Sequence, residues 1–424
     1  MVRKTILENG VRIVSEKVPG VRSVAVGVWV CAGSRYEADE DAGVSHLIEH
    51  LLFKGTEKRT AREITEAIES VGGQLNAFTS KEYTCYYARV LDEHLPLAID
   101  VLSDMLFSSL FAPEDIEKEK QVIEEEIRMY EDTPDEIIHD LFTQTIWDGH
   151  PLGRPVIGTL ESVHNLTREK ILDYYGKYYS PPRIVLAVAG NVDHEKVVDL
   201  LGPIFSKVPQ KADKDQVTPP KPQPGFRVFY KDLEQVQVCI GVPGPDQYDE
   251  RIYALQILNN VLGGDAGSRL FQKIREERGL VYSVYSYYSV FQDAGLITVY
   301  AGTSPSKLQE VLELIQKELK SIAREGISQD ELDKTKEQIK GSLLLALENV
   351  NTRMQRLGKY EIMYQRYLTP EEIIDKILKV TRDDVLDLAR SCFDQSKLAI
   401  TVLGKCPSNS FGNEQKGGVG NTPQ

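Results

Sequence analysis

The sequence predicts an α+β protein built twice: two duplicated domains, each a mostly antiparallel sheet packed with helices. Three observations carry this prediction. Strands of period 2 alternate with helices of period 3.6 along the 424 residues. The polar, proline-rich stretch 208–225 has a linker's composition and separates a domain at 1–207 from one at 226–404. Both segments also present their elements in one order. The Gly/Asn/Ser/Gln-rich stretch 405–424 lies beyond that order and is predicted to be a disordered tail.

In the first segment the alternating run 24–30 predicts a strand, followed by an acidic loop around Tyr36. A helix carrying His46 and His50 comes next, then a helix at 61–71 stopped by Gly72-Gly73. Strands at 74–79 and 83–90 and a helix at 95–106 complete the set. The second segment repeats it, with a strand at 236–242, an acidic loop around Tyr248 and helices at 253–262 and 269–278. Strands at 281–290 and 296–300 and a helix at 307–324 follow.

Composition excludes several classes. Hydrophobic content of 41% and charged content of 27% describe a soluble globular chain. A net charge of −14 argues against nucleic-acid binding. No run reaches membrane-spanning length, and no apolar leader follows Met1. Cys31, Cys85, Cys239, Cys392 and Cys406 are scattered and form no cluster, as expected of reduced thiols in the cytoplasm.

The segment His46-Leu47-Ile48-Glu49-His50 breaks the apolar pattern around it. Residues four apart on a helix are neighbours, so the two imidazoles can hold one metal ion, with Glu49 beside them. A satisfied core histidine is the plain alternative, and the flanks Leu47, Ile48, Leu51, Leu52 and Phe53 are core-like. The second segment argues against it. Setting Gly55 against Gly263 places Ala254, Ile257 and Leu258 opposite His46, Glu49 and His50. The fold does without polar groups there, and burying them is costly, so their presence marks a functional site.

Catalytic zinc takes three protein ligands and leaves one position for water. The acid-rich helix 114–132 offers many carboxylates, and helical phase sorts them. With Ile116 at zero and roughly 100° per residue, Val122 at about 240° bounds a buried stripe reaching about 20°. Glu119 at about 300° and Glu126 at about 280° fall inside it, whereas Glu117, Glu124 and Glu125 point outward. Unpaired buried carboxylates are unfavourable, and a metal ion compensates them. The duplicate helix, with Leu332 set against Ile116, carries Thr335 and Ser342 instead.

These residues resemble the pitrilysin family of zinc peptidases, most of all the β-subunit of the mitochondrial processing peptidase and its bacterial relatives. The likeness runs from Lys4 to Leu403. Its most specific parts are the inverted motif His46–His50 with Phe53-Lys-Gly-Thr56, the stretch from Gly72 through Asn76 and Ala77 to Thr79, and Val122-Ile-Glu-Glu-Glu126. The resemblance places the third ligand about 76 residues beyond the second histidine, which is Glu126, and implies a supporting catalytic carboxylate at Glu119. It also implies an arginine and a tyrosine in the other half that hold the substrate backbone, here Arg275 and Tyr282. A surface helix with a glycine cap is the plain alternative for that pair. The nearby Gly263-Gly264-Asp265-Ala266-Gly267-Ser268 lacks the lysine and preceding strand of a phosphate loop.

The expected activity is zinc-dependent endopeptidase action on extended, unfolded or presequence-like peptides, with one zinc per chain. His46, His50 and Glu126 bind the metal, Glu49 takes a proton from water, and substrate adds along the strand edge at Asn76 and Ala77. The family closes a chamber from four such domains, which implies a homodimer or a related partner chain, with Arg275 and Tyr282 near the partner's zinc. The alternatives are a non-catalytic partner subunit of a heteromeric processing peptidase and a peptide-binding protein with a structural zinc. The complete donor set weighs against the first. The second calls for four protein ligands, and three are found.

Overall fold

The computed structural model describes residues 2–210 and 217–406. The chain begins β1 (Val2–Ile6), β2 (Arg12–Lys17), β3 (Ser23–Val30), α1 (Val44–Leu51), α2 (Ala61–Glu69), β4 (Gln74–Thr79), β5 (Thr84–Leu91) and α3 (Leu95–Ser108). It continues with α4 (Pro113–Glu131), α5 (Pro134–Ile146), α6 (Leu160–His164), α7 (Arg168–Tyr178), β6 (Ile184–Gly190) and α8 (His194–Phe205). Then come β7 (Gly225–Phe229), β8 (Val236–Gly244), α9 (Ile252–Asn259), β9 (Val281–Val290), β10 (Gly295–Thr303), α10 (Leu308–Glu325) and α11 (Gln329–Ala346). The last elements are α12 (Val350–Tyr364), α13 (Pro370–Lys379), α14 (Arg382–Cys392) and β11 (Ala399–Leu403).

The duplication is visible in the strand orders. One sheet runs β1-β2-β6-β3-β5-β4 and the other β7-β11-β8-β10-β9. Set β2 against β7 and each neighbour pair matches in sense, with one parallel pair (β2/β6, β7/β11) and antiparallel pairing elsewhere. This is the mostly antiparallel α+β architecture expected. The 269–278 helix differs, because its middle, Phe271–Glu276, takes the wider π-helical winding.

The chain forms two compact units, and they do not coincide with its two halves. Among the described residues, unit 1 comprises 2–129, 154–210, 217 and 344–368, whereas unit 2 comprises 130–153, 218–343 and 369–406. A cut at 208–225 therefore assigns α5 and α12 to the wrong sheets. The expected linker is described only at 208–210 and 217–225, where Gly225 already opens β7. Of the expected tail 405–424, residues 407–424 lie outside the described residues.

In unit 1 the core lies between one face of the sheet and the helices α1, α2, α3, α4, α7 and α8, around Val26, Leu47, Ile48, Leu102, Ile123 and Leu186. The opposite face packs Trp29, Ala187 and Val185 against Val350, Met354 and Leu357 of α12. The approach is close. A Cβ on Gly358 would lie 2.2 Å from the Trp29 ring, and one on Gly27 would lie 2.4 Å from Met354 Sδ. Arg353 pairs with Glu16 at 2.6 Å and Lys4 with Glu361 at 2.5 Å, which ties α12 to β1 and β2. Unit 2 builds the same arrangement from α5, whose Ile138, Phe142 and Ile146 pack on Cys239, Leu296 and Ala399. Gly241 admits Phe142 there, as Gly27 admits Met354. Among the described residues, no helix is long and apolar enough to cross a membrane.

Candidate metal centre

α1 presents His46, Glu49 and His50 beside a buried face of Val44, Leu47, Ile48 and Leu51. Ridges of apolar residues seat the helix, and the polar residues emerge along one edge. α4 lies alongside and contributes Glu119 and Glu126. The buried face of α4 consists of Ile116, Glu119, Lys120, Ile123 and Ile127. Val122 is 43% exposed, so the stripe is narrower than helical phase suggested. Glu126 stands at its margin, with its side chain 35% exposed.

One atom from each of His46, His50 and Glu126 lies within 4.8 Å of the other two. His50 Nε2 is 3.7 Å and His46 Nε2 4.0 Å from Glu126 Oε2. These separations are too long for hydrogen bonds. They come close to the ~3.4 Å between two donors on a tetrahedral zinc with ~2.05 Å bonds. Two imidazoles and one carboxylate with an open side are the donor set of a catalytic rather than a structural zinc, so these residues fit that ion.

The surroundings prepare the donors unequally. Glu119, 4% exposed, brings Oε2 to 3.1 Å from His50 Nδ1, and Oε1 is 2.8 Å from Lys54 Nζ. A proton on His50 Nδ1 then faces the carboxylate and leaves the Nε2 lone pair free. His46 Nδ1 is buried and makes no hydrogen bond among the described residues. Burial, and then the nearby His50, lower the His46 pKa to about 4, so the ring is neutral near pH 7. Glu49 is pushed up by burial, against the pull of a Thr79 hydroxyl that donates to its Oε2 at 2.5 Å.

Thr79 ends β4, the edge strand that carries Asn76 and Ala77. Asn76 is exposed, and the Ala77 amide donates to Asn76 Oδ1 at 2.8 Å. Arg275 and Tyr282 belong to unit 2, where the guanidinium lies 5.9 Å from the Tyr282 ring centre and 4.6 Å from that of Phe271. The seven-residue spacing thus does bring the pair together, and Tyr282 is 78% exposed. Sequence reasoning gave no role to Lys54, Thr79 or Glu37. Lys54 lies three residues past the end of α1, so helical spacing does not place it beside His50. Thr79 and Glu37 act through tertiary contacts and leave no local signal.

Similarity to known proteins places the chain in a class. The family described as "Insulinase (Peptidase family M16)" matches residues 12–160, and "Peptidase M16 inactive domain" matches residues 165–339. The chain belongs to peptidase family M16, the pitrilysin family of zinc peptidases. An uncharacterized zinc protease of Bacillus subtilis (strain 168) is 45% identical over 410 residues, spanning 96% of this chain and 100% of its own length. One of Streptomyces coelicolor is 46% identical over 419 residues, spanning 96% of this chain and 89% of its own. A solved protease from Helicobacter pylori shares the fold with a TM-score of 0.89 at 24% identity, covering 96% of this chain and 99% of its own. A peptidase M16 inactive domain from Pseudomonas fluorescens does so at 0.90 and 18%, covering 96% and 98%.

Proposed function

We propose that the protein is a zinc-dependent endopeptidase acting on extended, unfolded peptides. The observation that carries this is the convergence of His46, His50 and Glu126 on one point, with Glu49 beside them on the same turn. In this reading His46, His50 and Glu126 hold the ion. Zinc there supplies a Lewis acid that lowers the pKa of water and polarises a carbonyl oxygen. Glu49 accepts the proton of the attacking water and later returns it to the leaving amine. Burial raises its pKa, which makes it a stronger base than a free carboxylate, and Thr79 holds its carboxylate in place. Glu119 keeps the His50 ring turned toward the ion.

An extended substrate would add to the exposed edge of β4 at Asn76 and Ala77, which recognises backbone rather than side chains. Doing so displaces Asn76 from the Ala77 amide. Arg275 and Tyr282 form an exposed cation–aromatic pair suited to gripping a peptide backbone, and a dimer or a related partner chain would bring that element to a second site. Cleavage of a mixed unstructured peptide pool, followed by mass spectrometry with zinc content measured alongside, tests the reading. Wild type should cut, and both chelation and Glu49→Gln should stop it, the latter with zinc retained. Zinc-loaded wild type that cuts nothing, alone or with a partner chain, would overturn the reading.

A further inference from the structure

α1 carries three of the site's residues but is only eight residues long, so small rotations of the helix redirect all of them. Its first amides have no partners within the helix. The N-cap is Gly43, with φ +94° and no side chain to cap the turn. The carboxylate of Glu37, from the preceding loop, takes that place. Its Oε2 accepts the Gly43 amide and its Oε1 the Ser45 amide, both at 2.8 Å. Glu37 is 5% exposed, and its carboxyl group faces the positive end of the helix. The loop is fixed in turn, because Arg154 donates to the Glu37 carbonyl at 2.8 Å. Ser45 Oγ donates at 2.8 Å to Tyr174 OH, which donates to the Gly33 carbonyl at 3.2 Å.

The two histidines are held differently. His50 is oriented through its own ring by Glu119, whereas His46 Nδ1 has no partner among the described residues. The direction of His46 is therefore inherited from the backbone of the first turn, where Ser45 is its immediate neighbour. We propose that Glu37 is a positioning residue that sets the rotation of α1 and thereby aims His46 at the metal, as Glu119 does for His50 directly. A carboxylate that grips two amides two residues apart resists both rotation and sliding of the helix. A single-acceptor cap leaves rotation free. The inference rests on the zinc-peptidase reading above.

The test is Glu37→Gln in the full-length protein, since an amide retains one acceptor oxygen and loses the other. Zinc affinity is measured by chelator competition, and the ligand geometry is read from the visible absorption of the cobalt-loaded protein. Peptide cleavage gives kcat and KM separately. Expected are a 10- to 100-fold weaker affinity, roughly the loss seen on removing a group that orients a ligand, a changed cobalt spectrum, and a lower kcat at similar KM. Gly358→Ala, which strains the far face of the same unit, should lower stability and leave the cobalt spectrum unchanged. If Glu37→Gln lowers stability but keeps wild-type affinity and spectrum, Glu37 is merely structural and the proposal fails. Should Glu37→Gln not fold, Glu37→Asp supplies the same readouts, being too short to reach both amides. Wild type that binds no zinc would instead defeat the function reading, which separates the two failures.

Discussion

α1 and α9 pack on sheets of matching strand order, yet their sites differ completely. Where α1 carries His46, Glu49 and His50, α9 carries Ala254, Ile257 and Leu258, all buried. Where α4 buries Glu119, α11 buries Thr335, whose hydroxyl donates to Asn260 Oδ1 at 3.3 Å. Ser342, opposite Glu126, is exposed. One architecture is thus stable with an ordinary apolar helix and also tolerates a cluster of titratable groups. The difference teaches that the polar set of unit 1 is not there for the fold.

The comparison breaks most visibly in activity. Glu49→Gln should reduce peptide cleavage by about 10²- to 10⁴-fold, the usual contribution of a positioned general base, with zinc content unchanged by elemental analysis. Glu119→Gln, which removes the charge facing His50 and Lys54, should weaken zinc binding by about 10- to 100-fold in chelator competition. Converting α1 to the sequence of α9 (His46→Ala, Glu49→Ile and His50→Leu together) should abolish zinc binding. The same triple variant should raise the urea-unfolding free energy of the metal-free protein by about 1–4 kcal/mol. A triple variant less stable than the metal-free wild type would show that unit 1 needs its polar set for folding.

Packing changes on the opposite faces should act alike in both units. Gly358→Ala against Trp29 and Gly241→Ala against Phe142 should each cost about 1–3 kcal/mol with the metal donors untouched, as measured by denaturant unfolding. The smallest effect is a slope with pH. Burial raises the Glu37 carboxyl in the folded protein to about 7 from 4.5, partly opposed by the Ser45 hydrogen bonds. The folded state then holds the proton more tightly than the unfolded chain. Its contribution is fully present below about pH 4.5 and is lost as pH rises through about 7. Wild type should lose stability relative to Glu37→Gln over that window, at up to about 1.4 kcal/mol per unit. A flat difference between the two would contradict the burial of a titrating carboxyl.

Much of the site was legible because its information is local. His46 and His50 are four apart, and Glu119 and Glu126 lie one heptad apart on a second helix, so helix geometry alone aligns each pair. The duplicated order supplied an internal control for those positions. Phase was less reliable at the rim, where Val122 is apolar yet exposed beside Glu126. Periodicity reports which face of a helix is apolar, but not whether something packs over its edge.

The sequence by itself determined the duplicated α+β order and the polar candidates His46, Glu49, His50, Glu119 and Glu126, since these follow from the repeat and from helical spacing within single elements. Tertiary structure decided which sheet receives α5 and which receives α12, because both sheets offer apolar second faces and local pattern cannot choose between them. It also decided that Thr79 holds Glu49, that Glu119 turns His50, and that Glu37 grips the start of α1. Those contacts join residues from 6 to 69 positions apart. The candidate donors could be read along the chain, but the contacts that hold them exist only once the chain has folded.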